Sequence, residues 1–443
     1  MARVGLVSLG CPKNLVDSEG ALGEIVEAGH EIVTDISRAD VIVVNTCGFI
    51  ESARAESMEA IDEALEHKKS GTCKAVVVIG CLSQRFPLDQ EVDVLLGIGH
   101  SGKIGDAISR ALAGEQVHDP SLGNLESRPN EWVEPSARVQ ATSPWTAYLK
   151  ISDGCSNRCA YCAIPDIRGP YRSRPESFIL DEARRFAGAG VREIVLIGQD
   201  LTQYGEDAGR PNSLAGLVGK LNEIDRLRWI RLMYCYPTKV TPELIDAIAG
   251  CEKVVKYLDL PLQHGDDDML KAMNRRGSVA EYEQLIDRLR AKCPEIALRT
   301  TFIVGFPGET ESAFENLLSF VERIRFDRVG AFVYSLEEGT PAAELGKRVP
   351  KKVAAKRLDR LMKLQQGISL ERNRSFIGKT MEVLVEGQTD EGMFGRSYRD
   401  APEIDGLVYL PGSTAKPGEF VKATIAEATE YDLIGSKVRR LKG

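Results

Sequence analysis

The sequence predicts an α/β protein with three successive parts: a small parallel-sheet domain, a partial (βα)6 barrel and a small antiparallel β-barrel. Over residues 1–118 short apolar runs alternate with amphipathic stretches, and six further strand and helix pairs follow within 146–374. From 375–443 the pattern changes to strand-like runs that Gly and Pro interrupt. Residues 119–145 carry four prolines and no sustained periodicity, so we expect a linker or clamp strand there.

Three apolar runs in the first part predict its parallel sheet. They extend from Val4 to Leu9, from Val41 to Val44 and from Ala75 to Ile79. Their uninterrupted apolar character is typical of strands that are covered on both faces. The helical pattern from Glu51 to His67 is long enough for a crossover between parallel strands.

Six apolar runs in the central part predict the strands of an incomplete barrel. Residues that carry chemistry lie at the carboxyl ends of the strands in complete (βα)8 barrels, so we expect the site at that face here. The predicted strands run from Tyr148 to Ile151, Glu193 to Ile197, Trp229 to Met233, Val255 to Leu260, Leu298 to Val304 and Arg328 to Tyr334.

A long connecting helix is predicted from Lys351 to Arg374. Its apolar face would contain Val353, Leu358, Leu361 and Ile368, and eight Lys or Arg residues make the other face basic. We interpret this segment as a solvated helix that packs on the barrel, in preference to an RNA contact.

The last part, residues 375–443, predicts a small β-barrel that carries more acidic than basic side chains. Strand-like runs occur at 381–385, 406–410 and 420–425. Nine Lys or Arg residues against eleven Asp or Glu residues give this part a net charge of −2. A barrel that binds nucleic acid is expected to be basic, so the acidic composition favours a basic protein partner.

Cys155, Cys159 and Cys162 stand at C-x3-C-x2-C spacing directly after the first strand of the central part. Cysteine thiolates hold iron-sulfur clusters, and three of them leave the fourth iron of a cubane open to a ligand. A structural zinc site would need a fourth ligand, and the next cysteine is Cys235. Disulfides are disfavoured because the chain begins without a cleavable signal pattern. We therefore predict a 4Fe-4S cluster at this loop.

Cys11, Cys47 and Cys81 each follow one of the three buried runs of the first part. The carboxyl ends of parallel strands meet at one edge of a sheet, so these three thiols are expected to converge on a second cluster. Cys73 precedes its strand and should lie at the opposite edge, which excludes it as a ligand. Each of the three cysteines alone would more often be an ordinary core residue.

The other candidate residues carry weaker signals. Cys235, Cys251 and Cys293 are interpreted as core or turn thiols. His264 follows the fourth barrel strand and would face the site, but the sequence identifies no partner for it. Gly305 and Gly308 follow the fifth strand, where glycine lets the backbone approach a ligand, although an ordinary turn is nearly as good an interpretation.

Bulk properties restrict the classes of function. The net charge of −8 argues against broad affinity for nucleic acid. No apolar stretch approaches the roughly 20 residues that cross a bilayer, so no membrane association is expected and the protein is predicted to be cytoplasmic. Ten cysteines in a reducing compartment then predict metal ligands or core thiols rather than disulfides.

The spacing of the Cys155 loop resembles that of the radical S-adenosylmethionine (SAM) enzymes. Together with three further stretches, it makes the whole chain resemble the methylthiotransferases, with an N-terminal methylthiotransferase domain, a radical SAM barrel and a TRAM domain. These stretches are Leu9-Gly10-Cys11-Pro12-Lys13-Asn14, Arg168-Gly169-Pro170-Tyr171 and Gly305-Phe306-Pro307-Gly308-Glu309. The Cys-Pro-Lys-Asn stretch resembles the branch that modifies a ribosomal protein, since the branch that modifies tRNA typically has Cys-Gln-Met-Asn there.

The resemblance implies a function and its cofactors. Members of this branch add a methylthio group to the β-carbon of an aspartate in the small-subunit ribosomal protein at the decoding centre. They use two 4Fe-4S clusters and SAM, which supplies both a methyl group and a radical, and they need an external electron donor and a sulfur source. Tyr161, Gly305 and Gly308 would then contact SAM. The basic ribosomal protein would be the partner, with contact to the ribosome itself as a further expectation.

Two other functions stay open at this point. The chain would fit a tRNA adenosine methylthiotransferase, which the basic connecting helix favours. It would also fit a non-enzymatic iron-sulfur protein that binds RNA through the terminal barrel. Two clusters that each leave an iron open argue against a purely binding role.

Overall fold

Three sheets follow one another along the chain in the computed structural model, which describes residues 1–98, 102–119, 132 and 137–441. The first sheet has six parallel strands in the order β2-β1-β3-β4-β5-β6. Its elements are β1 (Arg3–Ser8), α1 (Pro12–Glu27), β2 (Glu31–Ile32), β3 (Val41–Thr46), α2 (Glu51–Lys69), β4 (Ala75–Gly80), α3 (Cys81–Arg85), β5 (Val94–Leu96), α4 (Ile104–Leu112) and β6 (Val117–Asp119).

The apolar runs of the first part form the centre of this sheet. Every residue of β3 and β4 is buried, because side chains from α1 and α4 cover one face of the sheet and side chains from α2 cover the other. The three predicted strands are therefore present. The strands β2, β5 and β6 were not predicted, since each contains only two or three residues.

The central sheet has six parallel strands in sequential order, and its first and last strands do not pair with each other, as expected for a partial barrel. A short two-stranded ribbon, β8 with β9, follows its first strand. The elements are β7 (Thr146–Lys150), β8 (Ser152–Asp153), α5 (Ile164–Arg168), β9 (Arg172–Ser173), α6 (Glu176–Ala189), β10 (Glu193–Ile197), α7 (Ser213–Asn222), β11 (Trp229–Leu232), α8 (Pro242–Gly250), β12 (Val254–Asp259), α9 (Asp267–Ala272), α10 (Val279–Lys292), β13 (Ala297–Val304), α11 (Glu311–Ile324) and β14 (Arg328–Val333).

The connecting helix α12 (Lys351–Arg374) has the predicted bounds and packs against β14 and α11. Leu361 and Ile368 are buried as expected, but Val353 is exposed, so the prediction for Val353 was wrong. Val353 lies at the beginning of the helix, one turn before Arg357, whose buried guanidinium pairs with Glu309 at 2.8 Å. The buried face of this helix is thus partly ionic, which apolar spacing does not indicate.

The terminal sheet is a closed five-stranded barrel in the order β15-β16-β17-β19-β18. Its pairs are antiparallel except β17 with β19, which is parallel. A closed ring with an odd number of strands cannot alternate direction all the way round, so one parallel pair is unavoidable. The strands are β15 (Thr380–Thr389), β16 (Gly392–Ser397), β17 (Val408–Leu410), β18 (Phe420–Ala428) and β19 (Leu433–Arg440).

Buried ion pairs attach the terminal barrel to the face of the central sheet opposite the one that its helices cover. Glu193 on β10 accepts from Arg396 of the terminal barrel at 2.5 Å and from Arg231 on β11 at 2.8 Å. The rings of Trp229 and Phe420 meet edge to face beside this pair, with centroids 4.9 Å apart. The terminal barrel is therefore part of the core of the molecule and not an appendage.

The segment expected to be a linker lies mostly outside the described residues, including Pro120, Pro129 and Pro135. Its described end joins the first two domains. The Arg138 guanidinium is buried and forms ion pairs with Glu19 on α1 and with Glu182 on α6. This end therefore ties the first two domains together through Arg138.

Within the described residues, none of the helices combines the length and the hydropathy that a bilayer span requires.

Candidate active site between the first two domains

The thiols of Cys11, Cys47 and Cys81 lie together at one edge of the first sheet. The three residues follow β1, β3 and β4, which are adjacent parallel strands. Burial, and then repulsion from other members of this group, raises the pKa of Cys47 and of Cys81. The chain before Cys11 also touches Cys47: Gly10 has a φ of +88°, and a Cβ there would lie 2.9 Å from the Cys47 sulfur.

Side-chain amides hold this edge in place. The Asn14 amide donates to the carbonyls of Leu9 at 2.7 Å and Thr46 at 3.2 Å, which ties the start of α1 to the ends of two strands. The Asn45 amide donates back to the Asn14 carbonyl at 2.9 Å. Both asparagines are buried, so the loop that carries Cys11 is fixed before any ligand binds.

Cys73 lies at the opposite edge, as its position before β4 predicts. Its sulfur faces the backbone carbonyls of Asp40 and Ala75, at 3.6 and 3.1 Å. Asp40 itself precedes β3, so both residues lie at the amino ends of their strands. Cys73 is thus separated from the other three thiols by the length of the sheet.

Cys155, Cys159 and Cys162 occupy the loop that follows β7 and β8, at the carboxyl end of the central sheet. The Cys155 amide donates to the Gly169 carbonyl at 3.1 Å, and the Cys162 amide donates to the Cys159 carbonyl at 3.0 Å. These bonds wrap the loop tightly. Burial, followed by repulsion from Cys159 and Cys155, raises the pKa of Cys162.

Arg168, at the end of α5, connects the first group of thiols with the segment that precedes Cys155. Its guanidinium donates to the Cys81 sulfur at 3.4 Å and pairs with Asp17 at 2.8 Å and Asp153 at 3.1 Å. Asp153 lies two residues before Cys155. Cys81 also packs in one apolar cluster with Ala163, the neighbour of Cys162. The two groups of thiols therefore face one another across the interface between the first two domains.

The pKa shifts within the first group differ from thiol to thiol. Burial opposes ionisation of Cys11, but the Lys13 and Arg168 cations lower its pKa below the ordinary value. Burial dominates at Cys81 and raises its pKa to about 11, although Arg168 acts in the opposite direction. A thiol with so high a pKa stays protonated at neutral pH unless a metal displaces the proton.

Each group offers three cysteine thiols, which is the kind of donor set that a cubane iron-sulfur cluster takes. Within the part of the chain that the structure describes, no three His, Cys, Asp or Glu side chains converge closely enough to share one metal ion. The ligands of a cubane need not converge on one point, because each thiolate binds a different iron and the cysteine sulfurs stay apart. Cationic side chains stand beside both groups of thiols, which suits the negative charge of thiolate ligands: Lys13 and Arg168 near the first and Arg275 near the second.

The three residues predicted to contact SAM have different surroundings. Tyr161 is half-buried within the Cys155 loop, and burial raises the pKa of its hydroxyl. Gly305 has a φ of +76°, and a Cβ there would lie 2.5 Å from the Ala354 Cβ, so packing of α12 already requires glycine. Gly308, with a φ of +88°, faces open space. Whether these residues bind SAM stays a prediction.

His264 has the partner that the sequence did not identify. Its ring is fully buried, and Nε2 lies 3.1 Å from Oε1 of Glu309. Glu309 also accepts from the Gly305 amide and from Arg357. This network links the loop after β12, the loop after β13 and α12, so His264 stabilises the barrel around the site.

Sequence reasoning missed three further residues at this face. Arg275 is buried, with Nη1 3.6 Å from the Cys159 sulfur and its guanidinium stacked 4.0 Å from the Tyr236 ring. Lys13 and Tyr234 meet across the domain interface, with the ammonium 3.5 Å from the ring centroid. No spacing in the sequence relates these residues. Only the position of Lys13, two residues after Cys11, was a usable signal.

Family models match each of the three parts of the chain. The model for uncharacterized protein family UPF0004 matches residues 3–97, the Radical SAM superfamily model matches 149–321, and the TRAM domain model matches 377–438.

Relatives match nearly the full length. The chain is 48% identical to the "Ribosomal protein uS12 methylthiotransferase RimO" of Desulforamulus reducens, with 98% of this chain and 99% of the relative covered. It is 46% identical to the protein of the same name from Geobacter sulfurreducens, with 98% of each covered.

Solved structures show the same fold at low identity. The radical SAM methyltransferase TsrM from Kitasatospora setae has a TM-score of 0.56 at 14% identity, with 88% of this chain and 79% of that chain covered. The cobalamin-dependent radical SAM enzyme OxsB has a TM-score of 0.52, also at 14% identity, and the match covers 83% of this chain and 56% of that one.

Proposed function

This chain belongs to the ribosomal protein uS12 methylthiotransferase family, and from that premise we propose that it adds a methylthio group to the β-carbon of an aspartate in uS12. The family uses SAM and two 4Fe-4S clusters. When bound, these cofactors supply a radical that removes hydrogen from an unactivated carbon and the methylthio group that replaces it. Such a carbon has no acid-base route at neutral pH, so the protein contributes position and the exclusion of water.

The six cysteines divide between the two clusters. Cys155, Cys159 and Cys162 would hold the cluster that receives SAM. Cys11, Cys47 and Cys81 would hold the auxiliary cluster, where the methylthio group is delivered. Tyr161 in the Cys155 loop, together with Gly305 and Gly308 after β13, would contact SAM.

One observation carries the proposal: Arg168 contacts Cys81 and also pairs with Asp153, next to the Cys155 loop. A carbon radical must be formed and captured within one enclosed space, since water and protein groups would otherwise quench it. Two groups of thiols that face one another across a buried arginine satisfy this requirement. A pure binding protein has no need for such a pairing.

The charge distribution supports a basic protein substrate. The molecule carries a net charge of −8, and opposite charges raise the rate of encounter with a basic ribosomal protein. The basic connecting helix was the feature that favoured RNA. Both Arg357 and Arg360 on this helix form ion pairs with Glu311, and Arg360 also pairs with Glu315. These two cations are therefore not free to bind phosphate.

The reaction also requires an electron donor, a sulfur source and access to the substrate. An external donor supplies the electrons and a separate source supplies the sulfur, and we place the enzyme in the cytoplasm in contact with ribosomes, where uS12 resides. A tRNA adenosine substrate is the alternative that an assay must separate.

The decisive experiment presents the anaerobically reconstituted enzyme with SAM, a reductant and a sulfide source, and with either uS12 or unmodified tRNA. Mass spectrometry should then show a methylthio gain on uS12 and none on tRNA. A gain on tRNA alone would overturn the proposal.

A further inference from the structure

Lys13 presents a cation directly at the proposed site. It lies in the first turn of α1, two residues after Cys11, and is half-buried. Its ammonium stands 3.5 Å from the centroid of the Tyr234 ring, which belongs to the barrel domain. The cation thus lies where the carboxyl edge of the first sheet meets the carboxyl face of the barrel.

No carboxylate of the described residues forms an ion pair with Lys13, whereas Arg168 nearby is paired with both Asp17 and Asp153. The amino end of a helix carries partial positive charge and the first turn of α1 contains no acidic residue, so α1 itself supplies no carboxylate for this cation. Beyond the thiol of Cys11, a half-buried ammonium in such a place would be stabilised further by a carboxylate that binds at this face.

Tyr234 is held in a costly conformation opposite Lys13. It follows β11 and has a φ of +62°, a region that residues other than glycine seldom occupy. Its amide donates to the Asp259 carboxylate at 3.0 Å, which maintains this backbone turn. Strain of this kind persists where the surrounding structure enforces it, and here it places the ring beneath the ammonium.

We propose that Lys13 binds the side-chain carboxylate of the substrate aspartate and thereby determines specificity for an acidic target. The inference rests on the proposed function. The reacting β-carbon is bonded to this carboxyl group, so one ionic contact would fix the carbon close to the Cys11 edge. The rival explanation is that Lys13 only balances the charge of the auxiliary cluster.

The test combines a change in the enzyme with a change in the substrate. Lys13→Met keeps most of the length of the side chain and removes its charge, and Lys13→Arg keeps the charge. The matched control is Lys69→Met, which removes an exposed lysine at the end of α2. Each reconstituted enzyme is assayed for iron content, for SAM cleavage without substrate, and for the affinity and KM for uS12 carrying either Asp or Asn at the target position.

We expect Lys13→Met to keep its iron and its SAM cleavage while its affinity for wild-type uS12 falls about ten- to hundredfold. The affinity of the wild-type enzyme for uS12 with Asn at the target position should fall by a similar factor. When Lys13→Met is combined with this Asn substrate, the affinity should be little lower than with either change alone. Lys13→Arg should retain part of the affinity, and Lys69→Met all of it.

Three results would overturn this inference and leave the proposed function standing. The first is full affinity of Lys13→Met for uS12, and the second is additive losses of affinity when Lys13→Met is combined with the Asn substrate. The third is loss of iron from Lys13→Met, which would indicate the charge-balancing role. Methylthiolation of tRNA alone by the wild-type enzyme would overturn the proposed function and this inference together.

Discussion

Arg168 is a single buried guanidinium on which three neighbours depend. It is 2% exposed, and it satisfies Asp17, Asp153 and the Cys81 sulfur at once. Burial of one charge is tolerated here because two carboxylates surround it, and removal of the cation would leave both of them without full compensation.

Arg168→Met is therefore expected to destabilise the protein by about 3–5 kcal/mol, the usual cost of breaking a buried ion pair. Denaturation by urea would measure the loss. Arg184→Met is the matched control, because Arg184 pairs with Asp181 in an exposed position and such pairs contribute only about 0–1 kcal/mol. Equal stability of the two variants would contradict the role assigned to Arg168.

Cys73 and Cys81 provide a second comparison, since they stand before and after the same strand. Anaerobic reconstitution of the wild-type protein should give about eight irons per chain, and Cys73→Ala should retain them. Cys81→Ala should lose about half of the iron and all methylthiolation while it still cleaves SAM. Iron and deoxyadenosine assays would separate the variants, and identical behaviour of the two would refute the ligand assignment.

Strand β10 carries an ionic contact that makes stability depend on pH. Burial tends to raise the pKa of Glu193, but Arg396 and Arg231 hold it below its ordinary value of 4.5. A lowered pKa means that the folded state favours the ionised carboxylate. Its contribution is fully present above about pH 4.5 and is lost as the pH falls through the lower, folded-state pKa.

Glu193→Gln should consequently lower stability at pH 7 by about 3–5 kcal/mol, because Arg231 loses its carboxylate partner and Arg396 keeps only Glu386. The difference in the free energy of unfolding between Glu193→Gln and the wild type should become smaller below about pH 4.5. Urea denaturation at pH 7 and pH 4 tests both statements. Glu66→Gln, in an exposed pair with Lys69, is the control and should change stability by less than about 1 kcal/mol. If the difference in the free energy of unfolding is the same at both pH values, Glu193 acts through packing alone.

The terminal barrel is bound to the rest of the molecule by contacts that deletion of residues 375–443 would remove. Arg328 on β14 pairs with Asp400 at 2.6 Å, and Tyr257 on β12 donates to Asp405 at 2.7 Å. Trp229 and Glu193 on the neighbouring strands also lose partners without this barrel. Deletion of residues 375–443 is therefore expected to lower the denaturation midpoint of the central domain markedly and to expose apolar surface, which binding of a hydrophobic dye would reveal. A truncated protein with an unchanged midpoint would contradict this.

The overall negative charge leads to a prediction about binding of uS12. Opposite charges attract over a distance that salt shortens, to about 10 Å at 0.1 M ionic strength. The association rate should therefore fall as salt rises across the physiological range, with a smaller effect on the dissociation rate. Rapid-mixing or surface-based kinetics would measure both rates. An association rate that does not respond to salt would mean that apolar contacts govern docking.

Much of the architecture could be predicted because its signals are local. Uninterrupted apolar runs identified the central strands of both parallel sheets, and the bounds of β10 and α12 agree with those expected. The positions of Cys11, Cys47 and Cys81 after three such runs were enough to place them at one edge, since parallel strands share the direction of their carboxyl ends. The Cys155 loop was equally visible, because its three thiols are close in sequence.

Only the tertiary structure decided which distant side chains meet. Arg168 contacts Cys81, Lys13 contacts Tyr234 and Glu193 contacts Arg396, and each pair is separated by many residues that carry no related pattern. The exposure of Val353 and the parallel pair β17 with β19 also depend on packing and ring closure. Periodicity reports whether a side chain will be buried, but the partner of a buried charge is set by the three-dimensional docking of whole domains, and that docking created the site.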